Sequence, residues 1–334
     1  MIKKLNIGII GLGVGFHHLK CFIQNEYCKV ISVCDFDQKK IKVIQSKFPK
    51  IKTTLRDKDI IEDENIDLVC IASYDNYHCD QVIASVKNKK HVFVEKPLCT
   101  NYKEYIKIKN VLKKNPKIKI SSNFVLREAP QFITLNKMIE KKKLGKIFYI
   151  SGEYNYGRLN KITNGWRSNI PKYSVTHGGA IHIIDLVLSI LKKKPIKVVA
   201  SGNNISTAKT NFRSNDIINS TIKFEDNTIV NITSNFGCVI PHHHTFKLYG
   251  TERTFIQDYN KTYVSKSREV SNKVFKINNN YLDKNKKKIL ESFIHSLVSK
   301  KKPIVSQSDV INSMAISLAI DKSVKSNKWE KIKY

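Results

Sequence analysis

The chain has 334 residues, of which 41% are hydrophobic and 26% are charged. This composition is typical of a globular protein, and the length is sufficient for two domains with buried cores. The best candidate for a membrane span, residues 181–191, is too short to cross a bilayer and contains Asp185, so we predict no membrane association.

The formal net charge of +31 at pH 7 is high for such a chain. Nucleic-acid binding is one explanation, and attraction of an anionic substrate is another. The lysines, however, are dispersed and form short runs near predicted helix ends and loops, such as 141–143 and 192–194. Because lysine is favourable at helix C-termini and tolerated on solvated surfaces, we predict no nucleic-acid partner.

Seven cysteines are scattered singly through the chain, with no C-x-x-C pair. Isolated cysteines outside a secretory context predict free thiols and a cytoplasmic location.

Strand-like and helical segments alternate up to about residue 123. Helical patterns lie at 78–88 and 102–114. The strand-like runs are almost entirely apolar and lie at 5–10, 29–33, 68–72, 91–94 and 118–121. Continuous apolar strands that alternate with helices predict a parallel sheet covered on both faces, which is the Rossmann doubly wound α/β fold.

The hydrophobic pattern of the sequence changes after residue 146. Four runs alternate between apolar and polar residues, which predicts antiparallel strands; they lie at 147–156, 217–224, 228–236 and 245–249. An apolar helix is predicted at 179–191, and two amphipathic helices are predicted at 286–299 and 308–326. We therefore predict a dinucleotide-binding domain over residues 1–123 and a second domain over 124–334.

A glycine cluster follows the first strand directly. Gly11 permits a tight turn, and Gly13 lets backbone N–H groups approach a pyrophosphate at the start of the next helix. The match to G-x-G-x-x-G is imperfect, because Phe16 stands where the third small residue belongs and Gly15 comes one place early. Asp35 ends the second strand about 20 residues later, where an acid binds the adenosine ribose. The pattern predicts an NAD(H) site, with a structural glycine turn as the alternative.

Three further segments carry polar residues that are candidates for catalysis or ligand binding. Ser73, Asn76 and His78 follow a buried strand, and the next strand delivers Glu95-Lys96-Pro97 to the same sheet edge. Farther on, Gly178-Gly179 precedes His182 and Asp185, which lie three residues apart and so share one face of a helix.

Together these motifs resemble the glucose–fructose oxidoreductase / inositol dehydrogenase family (Gfo/Idh/MocA) over nearly the whole chain. The motifs are the Gly11-to-Gly15 loop with His18, Asp35, Asn76 with His78, Glu95-Lys96-Pro97, Gly178-Gly179 with His182-x-x-Asp185, and Leu248-Tyr249-Gly250-Thr251. The resemblance implies a second α/β domain with a large open-faced antiparallel sheet, whose open face commonly forms the interface of a homodimer or homotetramer. The glycine-loop variant followed by His resembles a subgroup associated with bacterial surface-sugar biosynthesis.

The resemblance also implies roles for individual residues. Lys96 would contact the nicotinamide ribose region and the reacting hydroxyl, and His182 would be the general acid/base. Many family dehydrogenases carry an Asp four residues before this His, but here that position is Gly178. The residues predicted to bind the cofactor are Gly11, Gly13, Val14, Gly15, Asp35, Ser73, Asn76, His78, Glu95 and Lys96.

A polar and aromatic stretch precedes Gly178-Gly179, and its residue types are suited to binding a sugar. Aromatic faces stack on sugars, and Arg pairs with phosphate or carboxylate. The predicted substrate residues are Tyr156, Arg158, Trp166 and Arg167 of this stretch, together with Arg127 before it and Asp185 after it. His242-His243-His244 lacks a matched Cys or carboxylate, so we expect a substrate or subunit contact there and no metal site.

The sequence thus predicts an NAD(H)-dependent oxidoreductase that moves hydride to or from a hydroxyl or ketone carbon of a sugar or nucleotide-sugar. Two alternatives stay open at this point. One is a polyol or inositol-type dehydrogenase. The other is a non-catalytic dinucleotide-binding sensor or scaffold, which Gly178 and the altered glycine loop would favour, whereas Lys96 and His182 favour the enzyme.

Overall fold

The computed structural model describes residues 4–259, 261–269, 274–277, 287–299 and 301–334. It divides into two compact units. The first contains residues 1–124 and 284–311, and the second contains residues 125–283 and 312–334.

The first unit is built on a six-stranded sheet in the order β3-β2-β1-β4-β5-β6. The strands are β1 (Leu5–Ile10), β2 (Cys28–Cys34), β3 (Lys52–Thr54), β4 (Leu68–Ile71), β5 (His91–Val94) and β6 (Ile120–Ser122). All neighbouring strands are parallel, which confirms the predicted Rossmann sheet. The strand order reverses between β1 and β4, and ligands bind such sheets at the carboxyl ends of the strands around this switch point.

Two helices of this unit begin after a polar side chain that caps them, Asp37 for the second helix and Asn101 for the fifth. The side chain of Asn101 accepts a hydrogen bond from the Glu104 amide, so the fifth helix begins at Tyr102 as predicted. The helices are α1 (Gly15–Ile23), α2 (Gln38–Lys47), α3 (Lys58–Ile61), α4 (His78–Lys87) and α5 (Tyr102–Lys114).

A late segment of the chain also belongs to the first unit. Helix α9 (Lys287–Val298) packs Phe293 against Phe93 of β5, with ring centroids 6.0 Å apart. Ser121 of β6 donates to the carbonyl of Val305. The predicted domain that ran unbroken over 124–334 therefore differs from the structure, because the apolar face of α9 is buried in the first unit. Residue 286 of the predicted helix lies outside the described residues.

The second unit is built on a nine-stranded sheet in the order β14-β13-β12-β11-β7-β10-β9-β8-β15. The strands are β7 (Ile147–Asn155), β8 (Pro195–Asn203), β9 (Ile217–Phe224), β10 (Ile229–Asn235), β11 (His243–Gly250), β12 (Thr254–Gln257), β13 (Thr262–Ser265), β14 (Phe275–Ile277) and β15 (Glu330–Lys331). One neighbouring pair, β7 with β10, is parallel, so the expectation of antiparallel strands was wrong there and right for the other pairs.

One face of this sheet is covered by an apolar helix. Gly152 of β7 lies so close to α8 (Ile181–Leu191) that an added Cβ would be 2.6 Å from Cγ2 of Ile183. The remaining helices are α6 (Pro130–Glu140), α7 (Asn160–Thr163) and α10 (Gln307–Ser326), the last of which runs from the first unit into the second. No helix in the described part of the chain has the length and apolarity to cross a membrane.

Candidate functional site

The glycine loop divides three tasks among three residues. Gly11 has a φ of +89° and an added Cβ would be 2.4 Å from the carbonyl oxygen of Ala72, so only glycine fits. At Gly15 an added Cβ would be 3.2 Å from Cβ of Ala72 and 3.3 Å from Cγ2 of Ile9, so Gly15 allows α1 to pack closely on the sheet. Gly13 has no described protein atom within 4 Å of an added Cβ. The space at Gly13 is therefore open to a ligand at the N-terminus of α1.

Asp35 is fixed beside this loop. It is buried, and its Oδ2 accepts hydrogen bonds from the Leu12 amide at 2.7 Å and from Nζ of Lys40 at 3.1 Å. Its Oδ1 accepts from the Asp37 amide at 2.9 Å. The carboxylate stands at the carboxyl end of β2, which is the position that a ribose-binding acid occupies in a Rossmann domain.

A cavity of about 310 Å³ opens at this edge of the sheet. Of the predicted cofactor residues it brings together Gly11, Gly13, Asp35 and Ser73. Val14 and Asn76 are exposed and lie outside its lining. Ten further lining residues were not among the predicted cofactor residues, namely Ile10, Cys34, Phe36, Lys40, Leu55, Asp57, Ala72, Tyr74, Tyr77 and Gln81.

Aromatic and amide side chains shape this cavity. Phe36, 65% exposed, meets Tyr74 edge to face with centroids 5.5 Å apart. Ser73 Oγ lies 2.6 Å from Oε1 of Gln81, whose Nε2 donates to Asp57 at 2.8 Å. Phe36 directly follows the acid at the strand end, and that adjacency is the one sequence signal that could have found it. The mixture of aromatic faces and a few fixed polar groups suits a nucleoside.

Glu95 is held inside the first unit. It accepts hydrogen bonds from Nε2 of His18 at 2.8 Å and from Nδ2 of Asn123 at 3.0 Å. Burial by itself would raise the pKa of the Glu95 carboxyl, but the bond and charge of His18, the bond from Asn123 and the charge of Lys96 lower it to about 2. The carboxylate was predicted to bind the cofactor. That contact stays a prediction, and the bonds to His18 and Asn123 show that Glu95 also holds the chain in place beside the half-buried Lys96.

His78 has a positioning role as well. It is fully buried, and its ring nitrogens lie 2.6 Å from the carbonyl oxygen of Pro97 and 3.2 Å from that of Ser73. It therefore ties the loop after β4 to the loop after β5, which carries Lys96. Both ring nitrogens face backbone carbonyls, so the direct contact with the cofactor stays a prediction that these bonds do not test.

In the second unit, His182 lies in the first turn of α8 and is 8% exposed. A π-helical segment (Thr176–Ala180) precedes α8, so the predicted helix over 179–191 begins in irregular geometry. Such segments are frequent at functional sites. The His182 ring stacks on Tyr154 at a centroid distance of 6.4 Å and an interplanar angle of 17°.

Tyrosine and histidine rings surround His182. Tyr154 meets His244 at 4.9 Å and His242 at 5.2 Å, both edge to face, and His182 meets His244 at 6.5 Å. His243 points away and contacts Tyr259, because alternate residues on β11 face opposite sides. We call Tyr154, Tyr156, His182, His242 and His244 the imidazole–tyrosine cluster. Among the described residues, no group of three or more His, Cys, Asp or Glu is placed to hold a metal ion.

Arg127 and Asp185 pair with each other. Nε and Nη2 of Arg127 each donate to one oxygen of Asp185, both at 2.7 Å. The Arg127 side chain is 10% exposed and that of Asp185 is fully buried. Both were predicted as substrate contacts. The bidentate, buried pair links the start of the second unit to α8, and a substrate contact by either side chain stays a prediction.

Two other predicted arginines lie beside the cluster. Arg158 lies over the Tyr156 ring at 5.6 Å, and Arg167 lies over the Trp166 ring at 4.3 Å. Burial and then the neighbouring Tyr156 raise the pKa of Tyr154, while the charges of Arg167 and Arg158 act in the opposite direction. Both cations therefore act electrostatically on Tyr154, whose ring stacks on that of His182.

Comparisons with known proteins agree with this geometry. Residues 5–124 match the GFO/IDH/MocA profile described as an oxidoreductase family with an NAD-binding Rossmann fold, and residues 132–256 match the GFO/IDH/MocA C-terminal domain. The chain belongs to the Gfo/Idh/MocA oxidoreductase family. The predicted family is confirmed, and so is the predicted Rossmann unit for NAD.

Relatives within the family are distant. The chain is 31% identical over 143 residues to myo-inositol 2-dehydrogenase of Thermotoga maritima, which covers 42% of each chain. It is 25% identical over 203 residues to inositol 2-dehydrogenase of Salmonella typhimurium, which covers 58% of this chain and 57% of the relative. The matches thus span about half the length of these relatives.

Solved structures resemble the whole chain. A levoglucosan dehydrogenase in complex with NADH and levoglucosan superposes with a TM-score of 0.86 at 18% identity, covering 99% of this chain and 100% of the other. The myo-inositol 2-dehydrogenase of Lactobacillus plantarum gives 0.84 at 20% identity with the same coverage. At these identities the likeness establishes the Gfo/Idh/MocA fold.

Proposed function

We propose that this protein is an NAD(H)-dependent oxidoreductase that transfers hydride to or from a hydroxyl or ketone carbon of a sugar or nucleotide-sugar. The observation that carries the proposal is the environment of Lys96. An ionised and mostly buried Glu95, held by His18 and Asn123, precedes it, and His78 fixes the loop that carries it. Such support is what a catalytic lysine needs, because its position must be held closely for reaction.

The residues at the Rossmann edge fit the cofactor. The loop at Gly13 leaves room for a pyrophosphate at the helix N-terminus, and Asp35 would accept hydrogen bonds from the ribose hydroxyls. The aromatic cavity lined by Phe36 and Tyr74 would hold the adenosine. When bound, the nicotinamide supplies hydride transfer, which no amino-acid side chain provides.

Lys96 and His182 would do the protein's part of the chemistry. The Lys96 ammonium would donate a hydrogen bond to the substrate oxygen, on which negative charge develops as the proton is removed in oxidation or as the hydride arrives in reduction. His182 would take the alcohol proton in oxidation and return it in reduction, since imidazole titrates near neutral pH. Tyr154, stacked on His182, would hold the imidazole ring in place.

A polyol or inositol-type dehydrogenase is the second candidate, and the names of the relatives favour it. The decisive experiment follows the absorbance of reduced nicotinamide with a panel of inositols, free sugars, sugar acids and nucleotide-sugars. Turnover of nucleotide-sugars or sugars above inositols supports the first candidate, and the reverse supports the second. Cofactor binding without turnover of any member would support the non-catalytic sensor or scaffold.

We also propose that the open face of the nine-stranded sheet forms a homodimer or homotetramer interface. The described face carries a ladder of polar side chains, in which Asn231 bonds Tyr149, Thr221 bonds Asn231, and Asn219 bonds Thr233. Phe148 and Ile229 are exposed large apolar side chains on the same strands. Sedimentation analysis tests this proposal, since a monomer at micromolar concentration would contradict it.

We also propose a cytoplasmic location and a biosynthetic role for this protein. All seven cysteines are free thiols, which supports a reducing compartment such as the cytoplasm. The glycine-loop variant supports a place in bacterial surface-polysaccharide biosynthesis. Identification of a nucleotide-sugar product by mass spectrometry would test that role.

A further inference from the structure

The absence of a side chain at residue 178 has a specific cause in this structure. An added Cβ on Gly178 would lie 1.9 Å from the hydroxyl oxygen of Tyr173 and 2.8 Å from its Cζ. Both distances are far below van der Waals contact. Tyr173 therefore occupies the space of a residue-178 side chain, one turn ahead of His182.

Tyr173 is fixed in that space from two sides. Its ring is buried and meets Phe212 at 6.0 Å and Phe236 at 6.4 Å, both edge to face. Its hydroxyl accepts a hydrogen bond from Nε of Arg167 at 3.0 Å. Moving the tyrosine to make room for a carboxylate at residue 178 would break both the ring packing and the hydrogen bond, and so would destabilise the fold.

The exchange reverses the sign of the charge near residue 178. Where an acid at residue 178 would place a negative charge, the structure places Arg167 behind the Tyr173 hydroxyl. Arg158 adds a second cation, and both act electrostatically on Tyr154 of the imidazole–tyrosine cluster. Two carboxylates nearby are committed elsewhere, since Asp185 pairs with Arg127 and Asp321 lies 3.3 Å from His177.

We propose that the Arg167–Tyr173 pair replaces an acidic residue at position 178 and selects substrates that carry an anionic group, either a carboxylate or a phosphate. The half-exposed Arg167 guanidinium would bind the anion, and the Tyr173 hydroxyl would keep the guanidinium oriented toward the cluster. This inference rests on the proposed function and narrows its substrate class. A guanidinium presents planar paired donors that match carboxylate and phosphate oxygens.

The first test concerns the steric exchange, and its readout is the melting temperature. We expect Gly178→Asp to destabilise the protein strongly, and Tyr173→Ala with Gly178→Asp to recover part of that loss. Tyr173→Ala alone provides the baseline. Additive losses in the double variant would overturn the idea that the two positions share one space.

The second test measures binding to the NAD⁺-loaded protein by calorimetry, with matched ligands. Glucuronate against glucose tests a carboxylate, and glucose 1-phosphate against glucose tests a phosphate. We expect at least one anion to bind about tenfold or more tightly than glucose. Arg167→Gln should remove most of that advantage, measured as the ratio of the affinity for the anionic sugar to the affinity for glucose. The exposed Arg268→Gln is the matched control and should keep it.

The outcomes separate this inference from the proposed function. Equal binding of anionic and neutral sugars, or an Arg167→Gln variant that keeps the anion preference, overturns the inference. Turnover of neutral sugars or inositols in that case leaves the proposed oxidoreductase intact. Conversely, an arginine-dependent anion preference without hydride transfer to any substrate supports the inference about the site and overturns the enzyme.

Discussion

Nε2 of His18 lies 2.8 Å from a carboxylate oxygen of Glu95, and both side chains are almost completely buried. His18 comes from α1, just after the glycine loop, and Glu95 ends β5. The pair therefore joins the segment that would hold the pyrophosphate to the segment that carries Lys96. One contact fixes two parts of the proposed cofactor site relative to each other within the first unit.

This contact predicts a pH-dependent stability. The Glu95 pKa is about 2 in the folded protein, against an ordinary value of 4.5. Since the folded pKa is the lower one, the ionised carboxylate stabilises the fold above about pH 4.5, and this stabilisation is lost as pH falls toward 2. We expect Glu95→Gln to cost about 3 kcal/mol at neutral pH and progressively less below pH 4.5.

Denaturant unfolding at a series of pH values measures this difference. Glu26→Gln, which changes an exposed carboxylate of the same unit, is the control and should show no such trend. A Glu95→Gln effect that stays constant from neutral to low pH would contradict the assignment.

We predict a preference for NADH over NADPH, because the Asp35 carboxylate accepts ribose hydroxyls and repels a 2′-phosphate. Lys40, 3.1 Å from Asp35, neutralises part of that charge. Lys40→Ala should therefore sharpen the preference, whereas the exposed Lys39→Ala should not. Fluorescence titration of both reduced cofactors measures the ratio, and tighter binding of NADPH to the unaltered protein would refute the prediction.

Lys96→Ala and His182→Ala are each expected to abolish turnover. Their cofactor affinity should stay within about tenfold of the unaltered protein, or roughly 1.4 kcal/mol, because the glycine loop and Asp35 provide most of the binding. Steady-state kinetics and NADH titration on the same preparations separate the two effects. Near-normal turnover in both variants would show that the catalytic assignment is wrong, whatever the fold.

The Arg127–Asp185 pair predicts a strong asymmetry between single and double substitutions. Removing either partner leaves a buried charge without its counter-ion, so Arg127→Ala or Asp185→Ala should cost about 3–5 kcal/mol of unfolding free energy. Replacing both together should cost less than the sum, which a double-mutant cycle measures. Arg56→Ala, which breaks an exposed pair with Asp59, is the control and should have little effect.

Sequence reasoning was most reliable for features whose contacts lie close together along the chain. The apolar strands of the first unit, the helix that begins after Asn101, and the turn at Gly11 all follow from local periodicity and backbone freedom. The position of Asp35 at the edge of the sheet could be predicted because the strand before it fixes where its carboxylate lies. Gly15 shows the limit of a motif, since its packing against Ala72 replaces the missing small residue at position 16.

The sequence by itself determined the Rossmann alternation, the change to a second sheet, and the strand ends that Glu95 and Lys96 follow. These features depend on hydrophobic periodicity and turn residues, which are properties of consecutive residues. Only the tertiary structure decided that α9 returns to the first unit, that Arg127 and Asp185 neutralise each other, and that Tyr173 fills the space at Gly178. These relationships depend on which distant segments meet, and periodicity records how a side chain is buried without recording which partner buries it.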